Sequence, residues 1–183
     1  MEYLSIEGER LRIRNLKPSD LNNFYLYRSN PEVCQYQGFD IMTKEQAANF
    51  IQAQETKILA ADEWVQYGIE LRQTSQIVGD CALRLQPLDN TAEIGITISH
   101  LAQKKGYAKE TLLLLLNFLF ITKNVAAVVE HTDVENIASI ALLQSVGFGQ
   151  PKKRIDNLYF KGQQCSEFQF AMTKQEWLAK YQC

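Results

Sequence analysis

Arg10-Leu11-Arg12-Ile13-Arg14 alternates charged and apolar side chains, which predicts a strand with one wet face. Pro18 is placed to begin a helix, and Leu21, Phe24, Tyr25 and Arg28 follow at helical spacing. Thr43 with Gln46 three residues on has the form of a capping box, and Ala47, Phe50, Ile51, Gln54 and Ile58 mark a second helix. Residues 64–71 and 76–85 read as strands joined by the polar turn Arg72-Gln73-Thr74-Ser75. The clearest strand covers residues 92–99. A period of two puts Ala92, Ile94, Ile96 and Ile98 on one face and Glu93, Gly95, Thr97 and Ser99 on the other. Residues 106–122 are apolar nearly all round, as in a deeply buried helix. Residues 125–129 form a continuous apolar strand, the pattern of a parallel pairing in a sheet interior. A short helix over 136–146 is stopped by Gly147 at its C′ position. Strands near Tyr159 and over 167–172 precede a last helix ending at Gln182.

This order predicts one mixed α/β (α+β) domain over residues 1–183. The run of strands in the middle argues for antiparallel pairing, and the later strand-helix-strand units for parallel pairing. A mixed sheet with helices on both faces satisfies both.

Composition narrows the function. The chain has 183 residues, 46% hydrophobic and 22% charged, which is globular and excludes wholesale disorder. Its 19 Lys and Arg against 21 Asp and Glu give a net charge of −2, which argues against broad nucleic-acid binding. Cys34, Cys81, Cys165 and Cys183 form no C-x-x-C pair, so no zinc site is expected, and a chain this long can build its own core without a disulfide framework. Met1-Glu2-Tyr3-Leu4 does not open a secretory signal, and the apolar run 112–121 is about half a bilayer span. A reducing, cytoplasmic setting is the expectation.

Two segments carry candidate chemistry. Gln103-Lys104-Lys105-Gly106-Tyr107-Ala108 follows a strand and opens the buried helix. Unpaired amides, the helix dipole, a glycine for close approach, and Lys104, Lys105 and Lys109 would together cradle a pyrophosphate. A tight turn with three solvated lysines is the competing account. The segment is neither a P-loop nor a Rossmann fingerprint. Asn136-Ile137-Ala138-Ser139, with Leu143 and then Gly147-Phe148, reads by itself as a capped helix.

In order and spacing these segments resemble the GCN5-related N-acetyltransferase superfamily, closest to its ribosomal-protein N-acetyltransferase-like branch. Gln103 to Ala108 fits that family's phosphate motif. Glu93-Ile94-Gly95 fits the opening of the strand before it, and Asn136, Ser139, Gly147 and Phe148 fit the later elements. The resemblance implies a splayed parallel strand pair in a mostly antiparallel sheet, with acetyl-CoA in the gap as cosubstrate and no metal. The implied cofactor-binding residues are Ile96, Thr97, Ile98, Gln103, Lys104, Lys105, Gly106, Tyr107, Ala108, Lys109, Asn136 and Ser139. The implied activity is acetyl transfer to a primary amine, either a protein N-terminus or a small molecule.

Glu93 is the candidate base, with a solvated strand glutamate as the alternative. Many members carry a tyrosine acid where this chain has Leu143, which leaves Ser139 as a relay or a hydrogen-bond donor; simple helix capping competes with that role. The absent tyrosine also keeps open a catalytically silent acyl-CoA-binding regulatory module. The expected partners are acetyl-CoA and the amine, with no nucleic acid and no membrane; a homodimer stays open. His100 and His131 read as satisfied structural histidines. Tyr36, Phe39, Trp64 and Tyr67 are candidates for an acceptor pocket or for the core, and Lys152-Lys153-Arg154 reads as a solvated turn.

Overall fold

The computed structural model describes residues 3–181. Among them eight strands form one sheet: β1 (Ser5–Glu7), β2 (Leu11–Asn15), β3 (Val65–Leu71), β4 (Gln76–Gln86), β5 (Thr91–Ile98), β6 (Ala127–Asp133), β7 (Lys153–Phe160) and β8 (Gln163–Thr173). Their spatial order is β1-β2-β3-β4-β5-β6-β8-β7. The β5–β6 pair is parallel and the other neighbours are antiparallel.

The helices are α1 (Leu21–Arg28), α2 (Pro31–Cys34), α3 (Lys44–Glu55), α4 (Tyr107–Asn117), α5 (Ile137–Ser145) and α6 (Lys174–Tyr181). They cover both faces of the sheet, and each face has its own core. On one, Phe24, Tyr27, Val33, Ala47 and Ile51 pack with Leu16 and Ile77. On the other, Leu112, Leu115, Leu116, Leu143 and Trp177 pack on Ile13, Tyr67, Leu83, Ile94, Val128 and Phe170. The alternation along β3 and β5 dictates this division: Val65, Tyr67 and Ile69 face the second core, and Gln66, Gly68 and Glu70 the first.

The first core is pinned by a buried ion pair. Asp80 on β4 is fully buried and accepts from the Tyr27 hydroxyl at 2.7 Å, from Arg28 Nε at 3.0 Å and Nη2 at 2.7 Å, and from the Gln66 amide. Burial pushes the Tyr27 hydroxyl well above its usual range, with the Asp80 charge adding to it, so it remains a donor. Arg28 in turn stacks on Phe39, 3.4 Å from the ring centroid.

Local signals explain several boundaries. Thr43 and Gln46 form the capping box: the Gln46 amide donates to Thr43 Oγ1 at 3.2 Å, and the Thr43 amide to Gln46 Oε1 at 2.8 Å. At the end of α5 the Phe148 amide reaches the Leu143 carbonyl at 3.1 Å and the Gly147 amide the Gln144 carbonyl at 3.1 Å, a Schellman motif with Gly147 at φ +106°.

Other boundaries differ from the sequence reading. Strand β1 and helix α2 are too short to show a period. Pro18 starts a 3₁₀ turn, Pro18–Asp20, that leads into α1. The helix expected over 106–122 ends at Asn117 and widens into a π turn, Phe118–Thr122. Strand β6 runs past its apolar start to Asp133, because β8 pairs with its polar second half. Lys153 and Arg154 open β7 rather than making a turn, with exposed side chains. The predicted helix end at Gln182 and the thiol of Cys183 lie outside the described residues. Among the described residues no helix is long and apolar enough to cross a membrane.

Candidate active site

Strands β5 and β6 pair at three registers: Thr91 with Ala127, Ala92 with Val128 and Glu93 with Val129. Past Glu93 each strand keeps only its outer neighbour. Strand β5 stays bonded to β4 as far as Ile98 opposite Gly79, and β6 to β8 as far as Asp133 opposite Glu167. The two therefore fork, and the inward edges of residues 94–98 and 130–133 are left without a ladder partner. The Ile98 carbonyl is the exception, since it accepts from Gln103 Nε2 at 3.2 Å. That contact gives the Gln103 side chain a structural task, anchoring the next loop to the end of β5.

The loop after β5 leaves a run of backbone amides open. Lys104 and Gly106 both adopt left-handed backbone, at φ +60° and +81°, and Gly106 is the N-cap of α4 with no side-chain cap. The amides of Lys104 through Lys109 donate to no partner among the described residues. They converge at the positive end of the α4 dipole. Lys105 Nζ is turned back to the Leu101 carbonyl at 3.0 Å, while Lys104 and Lys109 are exposed.

The loop is held from outside by Arg10, which sequence reasoning missed because it lies 95 residues away. Arg10 Nη1 donates to the Lys105 carbonyl at 3.0 Å, and Nε donates to Glu110 at 2.7 Å. Glu110 also accepts from the Arg10 backbone amide at 2.8 Å. The Arg10 guanidinium lies 5.0 Å from the Tyr107 ring centroid.

The start of α5 supplies a second set of polar groups. Asn136 caps the helix, its Oδ1 accepting from the Ser139 amide at 3.1 Å. The Asn136 Nδ2 donors and the Ser139 hydroxyl have no partner among the described residues. The hydroxyl is thus not the cap that the simplest reading of Ser139 requires. Leu143 is fully in the core, so no acid stands at that position.

Glu93 closes the fork on the face of α1–α3. Its carboxylate contacts Arg84 on β4, and its Oε1 lies 3.5 Å from His131 Nδ1 on β6. It is therefore not a freely solvated strand glutamate. His131 Nε2 meets the Gln169 amide at 3.0 Å. Neither Arg84 nor this place of His131 was legible in the sequence; the signal, visible only once register is known, is Arg84 opposite Glu93. The other histidine, His100, keeps a buried Nδ1 with no partner among the described residues, so it is not the satisfied structural histidine expected. Two residues along β5, Gly95 faces open space: a Cβ built there meets no atom within 4 Å. Beyond it, Thr97 Oγ1 donates to Gln37 Oε1 at 3.0 Å.

Glu130, just past the last paired register, lies on the opposite face. Burial pushes its carboxyl up to about 8.

A cavity of about 940 Å³ adjoins the open end of the fork, where Asp133 ends β6. Its walls come from α2 with Tyr36, from Asp133–Glu135 and from the β7–β8 hairpin. Of its cations, Arg154 is bonded to Asp156 at 2.7 Å and Lys161 to the Cys34 carbonyl at 2.5 Å. Glu32, Asp133 and Glu135 face it without a basic partner among the described residues. Of the four aromatic candidates Tyr36 lines this cavity. Phe39 stacks on Arg28, the Arg84 guanidinium lies over Trp64, and Tyr67 is in the core.

A family model described as an acetyltransferase (GNAT) domain matches residues 10–149. An uncharacterised N-acetyltransferase of Bacillus licheniformis, p20, is 28% identical over 171 residues, covering 92% of this chain and 96% of its own. A Vibrio cholerae structure described as a ribosomal-protein-serine acetyltransferase superposes with a TM-score of 0.74 at 24% identity, covering 93% of this chain and 97% of its own. The spermidine N-acetyltransferase of Vibrio cholerae, solved with CoA and spermine, superposes with a TM-score of 0.77 at 18% identity, covering 93% of this chain and 99% of its own. With its forked parallel pair, its open loop amides and a family match over most of its length, the chain belongs to the GNAT acetyltransferase family.

Proposed function

We propose that the protein moves an acetyl group from acetyl-CoA to a primary amine bearing further positive charge, by direct attack of the amine on the thioester. The observation that carries this reading is the fork, which ends at a carboxylate on one side and a loop of open amides on the other. In it the pantetheine chain pairs with the free edge of β5 around Ile96, Thr97 and Ile98, and Asn136 Nδ2 donates to it. The pyrophosphate rests on the amides from Lys104 to Lys109, with Gly106, Tyr107 and Ala108 setting their direction and the Lys104 and Lys109 side chains adding charge. Ser139, with its hydroxyl free, is a hydrogen-bond donor at the same helix start.

The amine enters on the other face, from the cavity that holds Glu32, Asp133 and Glu135. Three carboxylates without basic partners attract a cationic acceptor, such as a polyamine or a basic protein N-terminus. Near the fork apex Glu93 receives the amine proton through a water, with Arg84 and His131 fixing its orientation. The expected setting is the cytoplasm.

Thiol release from acetyl-CoA across a panel of spermidine, lysine and peptides with basic or acidic N-terminal residues tests this reading. Turnover is expected with the cationic acceptors and little with the acidic peptides. Tight acetyl-CoA binding in calorimetry without turnover on any amine would instead establish a silent binding module.

Gly95 gives a second check. Gly95→Ala is expected to keep or raise the melting temperature, since alanine fits the strand and relieves about 0.5–1 kcal/mol of glycine entropy. The new methyl stands in the space above β5, so kcat/KM for the amine should fall roughly tenfold or more. An unchanged kcat/KM would mean that the acceptor does not pass over Gly95.

A further inference from the structure

Glu130 lies one residue past the last register shared by β5 and β6. Strand alternation turns it, with Val128 and Thr132, toward the face of α4 and α5, where its cross-strand partner Phe170 is fully buried. Glu93, at the same level of the fork, points the other way. The Oε2 of Glu130 is buried and has no hydrogen-bond partner among the described residues. Glu130 as a whole is half-buried, but a carboxyl oxygen buried without a partner costs stability and calls for a functional reason.

We propose that Glu130 is the proton donor to the departing thiolate, an acid on the sheet face opposite the base Glu93. This rests on the acetyltransferase reading above. The chemistry asks for such a group. The amine nitrogen bonds to the carbonyl carbon, whose π pair moves to oxygen. That pair returns as the carbon–sulfur bond breaks and its electrons go to sulfur. The proton lost by nitrogen leaves through water to Glu93. The Glu130 carboxyl proton goes to sulfur, giving the free thiol of coenzyme A and a Glu130 carboxylate, which solvent reprotonates. Leu143 offers no proton, and α5 contains no charged residue at all.

The surroundings suit an acid kept neutral at pH 7. Burial alone raises the carboxyl to about 8, close to the roughly 8.5 of a thiol, so proton transfer between them is nearly balanced. No charged neighbour contributes to that rise among the described residues. On β5 the titratable residue is Glu93, and on β6 they are His131 and Asp133, all on the opposite face, as is Glu167 of β8, the partner of Asp133. On α4, Lys109 is exposed, Glu110 is held by Arg10, and Tyr107 lies against Arg10.

The test is Glu130→Gln, which keeps the shape and removes the acid. At neutral pH kcat is expected to fall about 10²-fold while the Kd for acetyl-CoA stays within about twofold. With one acceptor used for both proteins, its own titration cancels. The ratio of wild-type to variant kcat should then shrink toward unity as pH rises through about 8, because wild type loses its acid there. A ratio of one at neutral pH, or one that does not change with pH, overturns the acid role. Infrared difference spectra of wild type provide a check that does not need the variant to fold. A protonated carboxyl band lost near pH 8 supports the assignment, and its absence overturns it. Wild-type protein that binds acetyl-CoA yet acetylates no amine overturns the transferase reading itself, and the acid role with it. Turnover with an unaffected Glu130→Gln variant overturns the acid role alone.

Discussion

Replacing Glu93 with glutamine is expected to lower kcat by about 10²–10⁴-fold, the usual worth of a positioned base. The substitution is close to isosteric, and the glutamine carbonyl can still accept from Arg84. Acetyl-CoA affinity should change little, because the Glu93 side chain lies on the face of α1–α3 and the loop amides lie beyond the far end of β5. Thiol release and calorimetry on the same preparation separate the two effects. If kcat survives, Glu93 is a counter-ion for Arg84 and His131 and nothing more, and the amine must reach the thioester already neutral with its proton taken up elsewhere.

Asp80→Ala should cause the largest loss of stability, about 3–5 kcal/mol. It strands the Arg28 guanidinium, 2% exposed, without its partner, and it leaves the Tyr27 hydroxyl and the Gln66 amide without their acceptor. For a chain of this size the loss is expected as a drop in melting temperature of roughly 10 °C. The paired change Asp80→Leu with Arg28→Met should recover much of it, since apolar replacements of a buried ion pair are often neutral. A single variant that melts like wild type would show that water reaches the cluster. The damage should also spread toward the cavity beside the fork. Arg28 supports Phe39, the neighbouring Gln37 bonds Thr97, and Tyr36 lines the cavity. The KM for the amine should therefore rise more than the KM for acetyl-CoA.

The elements nearest the site were the most legible from sequence. The period of two in residues 92–99 correctly assigned both faces of β5, and Gly147 correctly ended α5. Asn136 was readable as a cap because one side chain and one amide three residues on suffice to make it. What stayed hidden depends on pairing between distant segments. The continuous apolar run of residues 125–129 suggested an interior strand, but the polar continuation from Glu130 to Asp133 carries no apolar period, and its place in the ladder is set by β8 beside it. Arg84 and His131 around Glu93 are set by register, and register is not written in either strand alone. Glu130 left no local signal at all; its meaning comes from the place where two ladders stop.

The clamp of Arg10 on Lys105 and Glu110 has one more consequence. The turn after β5 is braced by a cation brought in from the start of β2, three strands away in the sheet. A transplant of residues 98–122 into a foreign scaffold would arrive without that brace and should relax, so any chimera that borrows this turn must import the β2 edge along with it.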